Sequence, residues 1–371
     1  PLVVYIPPKY RKLAPTDYQP QGKTDRLVGF VDFAPTVLSL AGIKPPQHIQ
    51  GDAFMGQYDT KPQEYLFGFR GRMDERYDLV RSVRNQRYLY IKNYMPHKKY
   101  GQYLNYMFQT PTTQVWKKMY DAGELKPPQT YFWETKPAEE LYDLQADRDE
   151  VNNLADSAEH QAVLKELKQA QHKKILAIRD LGFLPEAEFH SLADGEAPYL
   201  VGQNKELYPL RQILKMADLA SSGKPSGVDQ LINGLSSQNA AIRYWAAMGL
   251  LMRGEPAVAQ AHESLLNALE DNSKSVRCIA AEALGKYGTQ QDVDNAVDTL
   301  ISLSDQKQEG VYVAMLALNG LDKLGSEKVA RVQDQIAKLP LKNAQLDRRL
   351  QSYVSRLVER LQEQQAQAAE K

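Results

Sequence analysis

The first apolar run of the chain, Leu-Val-Val-Tyr-Ile at 2–6, is continuous and has prolines on both sides. An unbroken run of β-branched and aromatic residues is typical of a strand that is buried on both faces. A polar, proline-bearing stretch follows it as far as Gly22, so parallel neighbour strands would have to come from upstream. We therefore expect the chain to start inside a fold, at the final strand of a larger α/β domain.

Residues 31–46, VDFAPTVLSLAGIKPP, predict a short helix. Pro35 suits the first helical position, because its missing N–H would have no partner there. Gly42 suits the C-terminal cap and Pro45 prevents continuation.

An alternating pattern between residues 65 and 94 predicts two antiparallel strands. The segments YDLVRSVR and RYLYIKNY flank Asn85 and Gln86. Tyr88 and Tyr90 would lie on one face of the second strand, with aliphatic side chains on the other, as in a half-buried hairpin.

Residues 95–137 are rich in tyrosine, proline and tryptophan without a clear period, which predicts a long ordered loop. A helix is predicted after the segment EELYDL, because Asp156 and Glu159 have the spacing of a capping box. Its apolar face would carry, at helical spacing, Leu164, Leu167, Gln171, Ile175 and Ile178.

An internal repeat follows a predicted linker at 186–225. Residues 231–251 align with 265–285 at an offset of 34, and a looser third copy covers 311–325. Two helices per unit at this period indicate an α-solenoid, in which each unit buries its apolar face on the next. A final helix would cap the stack with Leu346, Leu350, Val354, Leu357 and Leu361.

The bunched acids of EELYDLQADRDEVNNLA (139–155) raise the question of a calcium site. An EF-hand loop needs glycine at its sixth position and a bidentate glutamate at its twelfth. Counted from Asp147, these positions hold Asn152 and Ala158. We therefore expect no tight calcium binding between Asp143 and Glu150, and we expect these acids to form turns and helix caps.

Composition leaves room for two or three domains in 371 residues, with 43% hydrophobic and 25% charged residues. The apolar runs are far shorter than the ~20 residues that cross a bilayer, so we expect no membrane span. Cys278 is the only cysteine, which excludes an internal disulfide and a structural zinc site made of cysteines.

Positive charge is concentrated in the first part of the chain. Residues 1–130 carry 19 Lys and Arg against 11 Asp and Glu, although the formal net charge of the whole chain is zero. The densest stretch contains Arg70, Arg72, Arg76, Arg81, Arg84 and Arg87. Guanidinium groups match sulfate, phosphate and carboxylate oxygens, but a solvated hairpin face would have the same pattern. The chain lacks a sustained basic helix or an aromatic and basic platform, which argues against nucleic acid as a partner.

Four segments resemble, in order and wording, the C-terminal part of the formylglycine sulfatases, in particular the arylsulfatase and heparan N-sulfatase-like branch. They are PLVVYIP, VDFAPTVLSLAGI, RMDERYDLVRSVRNQRYLYIKNY and EELYDLQADRDEVNNLA. The resemblance covers residues 1–185 and implies the end of an alkaline-phosphatase-like α/β domain with a small antiparallel subdomain. Residues 226–371 would follow as an all-α solenoid, since 231–325 resemble the HEAT-type repeats found behind the catalytic unit of some bacterial relatives.

The resemblance also implies a formylglycine made from a Cys/Ser-X-Pro-X-Arg motif, and a calcium ion beside it. The chain has one Pro-X-Arg, Pro209-Leu210-Arg211, and Leu207 stands at the position of the nucleophile precursor. We therefore expect the chain by itself to lack sulfatase activity and to be part of a longer enzyme. Calcium and formylglycine would belong to that complete enzyme.

Within the chain, the resemblance places the segment GRMDERYD at the mouth of the active site. A sulfated sugar requires cations for its sulfates and carboxylates for its hydroxyls. The predicted substrate-binding residues are Arg72, Asp74, Glu75, Arg70, His97 and Lys98.

The resemblance implies a sulfated glycan or an aryl sulfate as substrate, and a periplasmic or secreted location. Two other classes of protein stay open. A repeat scaffold would bind a protein partner along the solenoid, and a non-catalytic protein would bind sulfated glycans through the basic hairpin.

Overall fold

The computed structural model describes residues 2–348 and 350–369 and has a mixed α/β architecture. Four strands form one sheet: β1 (Leu66–Arg70), β2 (Val80–Arg84), β3 (Tyr88–Asn93) and β4 (Glu139–Asp143). The α-helices before the repeats are α1 (Phe33–Leu40), α2 (Asn105–Phe108), α3 (Pro111–Asp121), α4 (Gln161–Ile178), α5 (Glu186–Ala193), α6 (Pro198–Gln203) and α7 (Leu210–Ser221). The later helices are α8 (Val228–Gly234), α9 (Ala240–Arg253), α10 (Glu255–Gln260), α11 (His262–Ala268), α12 (Lys274–Tyr287), α13 (Gln290–Ser302), α14 (Val311–Leu324), α15 (Ser326–Val329), α16 (Gln333–Ala337) and α17 (Gln351–Ala369).

The chain forms two compact units that alternate along the sequence. The first unit contains residues 2–69, 81–92 and 139–178. The second unit contains residues 70–80, 93–138 and 179–369. The succession of domains predicted from the sequence, 1–185, a linker at 186–225 and 226–371, stays a prediction.

The sheet of the first unit has the order β1-β2-β3-β4. Strands β3 and β4 pair antiparallel, with Tyr90 opposite Leu141. One face of the sheet packs Val83, Tyr90 and Leu141 against Leu164 and Leu167 of α4. The predicted hairpin and the amphipathic helix are therefore confirmed.

Helix α1 presents its apolar side outward. Phe33, Val37 and Leu40 recur at helical spacing and are exposed, with Val37 at 64%. Thr36 and Ser39 are buried on the opposite side, where their hydroxyls accept hydrogen bonds from backbone N–H groups of the segment that follows. The helix ends near Gly42 as predicted (φ +73°). Pro35, however, is its third residue and not its first.

The strand predicted at 2–6 is wrong for the described part of the chain, where these residues have no regular structure. Val3 and Tyr5 are 92% and 78% exposed. An apolar run forms a strand only where another strand satisfies its backbone groups. Apolar surface is nevertheless exposed here, as expected of an uncovered segment.

The acidic stretch after β4 forms turns, as predicted. Asp143 accepts hydrogen bonds from the backbone N–H groups of Gln145 (3.0 Å) and Ala146 (3.3 Å). Asp147 accepts two more from Val151 (2.9 Å) and Asn152 (2.7 Å). These oxygens therefore satisfy the backbone of their own turns.

The capping box predicted at Asp156 and Glu159 does not form. A 3₁₀ turn from Ala158 to His160 precedes α4, and Ser157 is the residue before that turn. The Ser157 hydroxyl lies 2.8 Å from His160 Nδ1 and replaces the expected contact.

The second unit is mostly helical and contains paired helices. Helices α8 and α9 pack together, as do α11 with α12 and α13 with α14. The longer second helices also pack in succession, α9 on α12, α12 on α14 and α14 on α17. In the described residues, no helix is long and apolar enough to cross a membrane.

Two stretches that were predicted as irregular contain helices. Residues 95–137 include α3, which begins at Pro111 and packs Trp116 on Phe132 (ring centroids 4.9 Å apart, stacked). The stretch 186–225 contains α5, α6 and α7 in place of an extended linker. In α7, Leu210, Ile213, Leu214 and Ala217 form a buried face that packs on α9.

A buried ion pair joins the loop between β1 and β2 to α14 within the second unit. The side chain of Arg76 is 1% exposed, and its Nη1 lies 2.7 Å from Asp322 Oδ2. Nη1 also donates to Asn319 Oδ1 (2.6 Å), and Nε donates to the carbonyl of Tyr103 (2.8 Å). Burial is the largest single effect and raises the pKa of Asp322, but Arg76, Lys323 and Arg360 together outweigh it and leave the pKa below its usual value.

We predict that replacing Asp147 by alanine exposes the turn that it caps. The loss of two hydrogen bonds to backbone N–H groups should cost about 1–2 kcal/mol locally. Amide hydrogen exchange at Val151 and Asn152 should therefore accelerate roughly tenfold. Asp149→Ala is the matched control, because Asp149 is exposed in the same stretch. Unchanged exchange in Asp147→Ala, or a calcium-dependent slowing in the parent chain, would contradict the structural role.

We also predict that Arg76→Met and Asp322→Leu each destabilise the second unit by about 3–5 kcal/mol, because either change leaves a buried charge unpaired. The double variant should lose much less than the sum of the two losses. Tryptophan fluorescence during urea unfolding isolates this unit, since Trp116, Trp133 and Trp245 all belong to it.

Because the pKa of Asp322 is lowered in the folded chain, the pair stabilises fully above the unfolded value of about 3.9. The stabilisation is lost as the pH falls through the lowered folded pKa. Asp121→Ala, which removes the exposed Lys117–Asp121 pair, should change the stability by less than about 0.5 kcal/mol. Additive losses in the double variant would show that the two side chains do not act as a pair.

Candidate functional site

The loop between β1 and β2 carries most of the predicted substrate-binding residues and turns tightly. The backbone N–H of Met73 donates to the carbonyl of Arg76 (2.6 Å), and that of Arg76 donates back to Met73 (2.9 Å). Asp74 lies within this turn at φ +43°, a left-handed conformation that aspartate tolerates better than most residues. The turn and the buried side chain of Arg76 together fix the positions of Arg72 and Glu75.

This loop forms one wall of a small cleft in the second unit, with a volume of about 40 Å³. The other walls come from Lys98, the start of α5, and helices α9, α12 and α14. The lining residues are Arg72, Glu75, Tyr77, Lys98, Pro185, Glu186, Ala187, Tyr244, Ser275, Tyr312, Met315, Leu316 and Asn319. Three tyrosines and a few charged groups in a concave site are typical of a small-molecule or sugar site.

Arg72 is held in the cleft wall by an acid and by aromatic rings. Its Nε lies 2.9 Å from both carboxylate oxygens of Glu186, and Nη1 donates to the carbonyl of Asp74 (2.9 Å). The guanidinium also lies 5.1 Å from the ring centroid of Tyr353 and 5.8 Å from that of Tyr312. The positive charge of Arg72 is therefore matched within the protein.

Partial burial and mutual attraction shift the pKa values of Arg72 and Glu186. Burial is the largest single effect and lowers the pKa of Arg72, but the charges and hydrogen bonds of Glu186 and Tyr353 together outweigh burial and raise it. For Glu186, burial is the larger effect and raises the pKa against the opposing charge of Arg72. Burial and Arg72 together lower the pKa of His190. The His190 ring stacks on Tyr312 at 4.4 Å.

Glu75 and Asp74 are also paired. The buried carboxylate of Glu75 accepts from the backbone N–H of Asn105 (2.7 Å) and from Arg356 Nη1 (3.4 Å). Arg356 lies 3.8 Å from Asp74, whose Oδ1 accepts a hydrogen bond from Tyr353 (3.3 Å). Both acids therefore fasten the loop to α17.

Lys98 and His97 differ from the other charged residues. Lys98 Nζ donates to the carbonyl of Tyr77 (3.0 Å). Burial lowers the pKa of Lys98 to about 8, although Glu282 and Asp78 act in the opposite direction. Burial, reinforced by the charge of Lys98, lowers the pKa of His97 well below its usual value. Both ring nitrogens of His97 are enclosed and have no hydrogen-bond partner in the described residues.

Of the six predicted residues, Arg72, Glu75 and Lys98 line the cleft together. Asp74 is outside the lining and lies 3.8 Å from Arg356, and Arg70 lies 3.9 Å from the buried Asp78. His97 is outside the lining. Whether any of the six contacts a substrate stays a prediction.

Sequence reasoning missed Glu186, Tyr312 and Asn319. They lie in a stretch predicted as a linker and in a repeat helix, more than 100 residues after the loop. Periodicity alone does not indicate pairings over such separations. The only local feature that marks Glu186 in the sequence is its position directly after Leu184 and Pro185.

The residues of the described chain do not fit the calcium ion or the formylglycine that the resemblance implies. No group of three or more His, Cys, Asp or Glu side chains in the described residues could hold a metal ion. Asp143 and Asp147 use their oxygens for backbone N–H groups. Cys278 is buried in α12, and burial raises the pKa of its thiol.

Comparison with known proteins identifies related sequences for part of the chain. Two proteins of Formosa agariphila, both described as ulvan-active sulfatases, match it. The first is 38% identical over 175 residues, which are 47% of this chain and 29% of the relative. The second is 28% identical over 166 residues, or 41% of this chain and 30% of the relative. No family model matches the chain.

The matches cover less than a third of the length of these curated relatives. They extend over less than half of this chain. The chain thus contains a region that is related to sulfatases.

Proposed function

We propose that the chain is part of a sulfatase that removes sulfate from a sulfated polysaccharide, and that the cleft of the second unit contributes sugar contacts. The observation that carries this proposal is the combination of a sulfatase-related region with a cleft of aromatic and charged residues. Ulvan, the polysaccharide in the names of the two relatives, is the first substrate to test. A periplasmic or secreted location would follow from a polymeric substrate.

The composition of the cleft supports a sugar ligand. Tyr77, Tyr244 and Tyr312 are among the lining residues, and tyrosine combines an apolar ring with a hydroxyl that can bond to a sugar. The paired Arg72 and Glu186 offer donors and acceptors that suit hydroxyl groups.

The reacting groups are proposed to come from other parts of the enzyme. The 371 residues contain no Cys/Ser-X-Pro-X-Arg motif. This chain would hold the sugar, and the remainder would supply the nucleophile and the calcium ion.

The apolar surface of the first unit supports such an assembly. Phe33, Val37 and Leu40 of α1 form an exposed stripe, and Phe30 beside them is 88% exposed. A contiguous apolar surface of this kind is typical of an interface. We propose that the remainder of the sulfatase covers it.

The helices of the second unit are proposed to form a HEAT-like repeat module. The shorter and longer helices alternate in α8–α9 and α11–α12, at the 34-residue offset of the sequence. Arg243 and Arg277 occupy equivalent positions, and each donates to a backbone carbonyl before its own helix, Ser237 and Leu269 respectively. The equal lengths of α8 and α11, and of α9 and α12, support a repeat along which a protein partner would bind.

We expect the chain to bind ulvan without releasing sulfate from it. Affinity electrophoresis should show retardation in gels that contain ulvan and much less in gels with chemically desulfated ulvan. Ion chromatography should detect no sulfate above the buffer control. Fusing the chain to a sulfatase segment that carries the Cys-X-Pro-X-Arg motif should restore sulfate release.

Two results would count against this proposal. Equal mobility in gels with and without ulvan would show that the chain does not contact the substrate. Sulfate release by the chain alone would place the reacting groups within these 371 residues.

A further inference from the structure

We propose that the ammonium group of Lys98 is the anchor for an anionic substituent of the ligand in the cleft. This inference rests on the proposed function for the sugar part of the ligand. It adds the residue that recognises the charge, and it moves that role away from Arg72.

The charged residues that line the cleft are paired, with one exception. Arg72 is matched by Glu186 at 2.9 Å, and Glu75 is matched by Arg356 at 3.4 Å. Lys98 has no acid within ion-pair distance in the described residues, and its Nζ donates only to the carbonyl of Tyr77. One positive charge therefore stays uncompensated among the lining residues.

Other titratable groups surround Lys98. Lys136 is bound to Asp78 by a buried ion pair at 2.6 Å, which leaves that acid occupied. Glu282 of α12 and Lys323 of α14 act on Lys98 from a greater distance, with opposite signs. His97, next in the chain, stays neutral at pH 7 because its pKa is far below the usual value. The surroundings therefore favour an incoming anion over a further cation.

A hydroxyl in the same cleft lacks a partner. Ser275 is fully buried near the start of α12, and its Oγ has no hydrogen-bond partner in the described residues. A buried hydroxyl without a partner is costly, so a ligand oxygen would gain by accepting from it. Lys98 and Ser275 together offer a charged and a neutral donor to an oxyanion.

The chemistry specifies a sugar with an oxyanion substituent, either a sulfate ester or a carboxylate. A partly desolvated ammonium binds such a group more strongly than a solvated one, because the local dielectric is low. The anion in turn stabilises the charged form of the lysine. Since the free amine titrates at about pH 8, affinity should be highest below that pH and should fall as the pH rises through it.

The test uses isothermal titration of the full chain with galactose 6-sulfate, glucuronate and galactose. At pH 7 the chain should bind at least one of the two anionic sugars more tightly than galactose, and the tighter one identifies the preferred oxyanion. Lys98→Met should weaken anionic binding by roughly ten- to a hundredfold, the usual effect of losing one charged hydrogen bond. Lys99→Met is the matched control, because Lys99 is the exposed neighbour outside the cleft, and it should bind like the parent chain.

A second measurement does not depend on the folding of a variant. Limited labelling of the parent chain with an amine-reactive reagent, followed by peptide mapping, should show that the bound sugar protects Lys98 and not Lys99. Binding should weaken between pH 7 and pH 9. Equal affinity in parent and Lys98→Met, labelling of Lys98 without protection, or no binding of either anionic sugar would each overturn the inference. None of these results affects the ulvan and sulfate-release assays, which test the proposed function separately.

Discussion

The position of the candidate site depends on one buried ion pair, Arg76 with Asp322. A guanidinium that is 1% exposed has lost its hydration, and a nearby carboxylate with two further hydrogen-bond acceptors must replace it. The acceptors come from α14 and from the segment before α2, so the loop can occupy only one position relative to them. Arg72 and Glu75 flank this anchor, and their own ion pairs are possible only because the anchor fixes the loop.

The same rule of paired charges explains why the cleft is not simply basic. The stretch from Arg70 to Arg87 is rich in arginine, and the sequence pattern favours an anion-binding surface. In the fold, Arg72 meets Glu186, Arg76 meets Asp322, and Arg87 meets Asp143 at 2.7 Å. Each of these acids lies far from its arginine in the sequence. Pairing between distant residues therefore decides which positive charge in the cleft lining stays unpaired. That charge is Lys98, which the sequence pattern placed only at the rim of the substrate site.

Local physical signals in the sequence were sufficient where neighbouring residues decide the structure. The alternation around Tyr88 and Tyr90, the 3.6-residue period of α4 and the turn chemistry of Asp147 all appear in the fold. The sequence failed where distant residues decide. An apolar run at 2–6 forms a strand only beside another strand, and α7 is a helix whose apolar face needs α9. The candidate site depends on both local and distant residues. The sequence predicted the loop between β1 and β2, but it did not predict Glu186 or Tyr312.

Two features of the described chain would gain free energy from a binding partner: the exposed apolar stripe of α1 and the ammonium of Lys98. The two gains differ in size and in the geometry that they require. Burying an exposed side chain such as Phe33, Val37 or Leu40 contributes up to about 1.5–3 kcal/mol each, so a partner that covers the α1 stripe gains several kcal/mol without directional requirements. An anion at Lys98 gains about one charged hydrogen bond, but only in one geometry. The larger gain therefore favours a partner that covers the α1 stripe, the role that we propose for the remainder of a sulfatase. The smaller gain would discriminate between ligands, because a neutral sugar leaves the ammonium of Lys98 without a counter-ion.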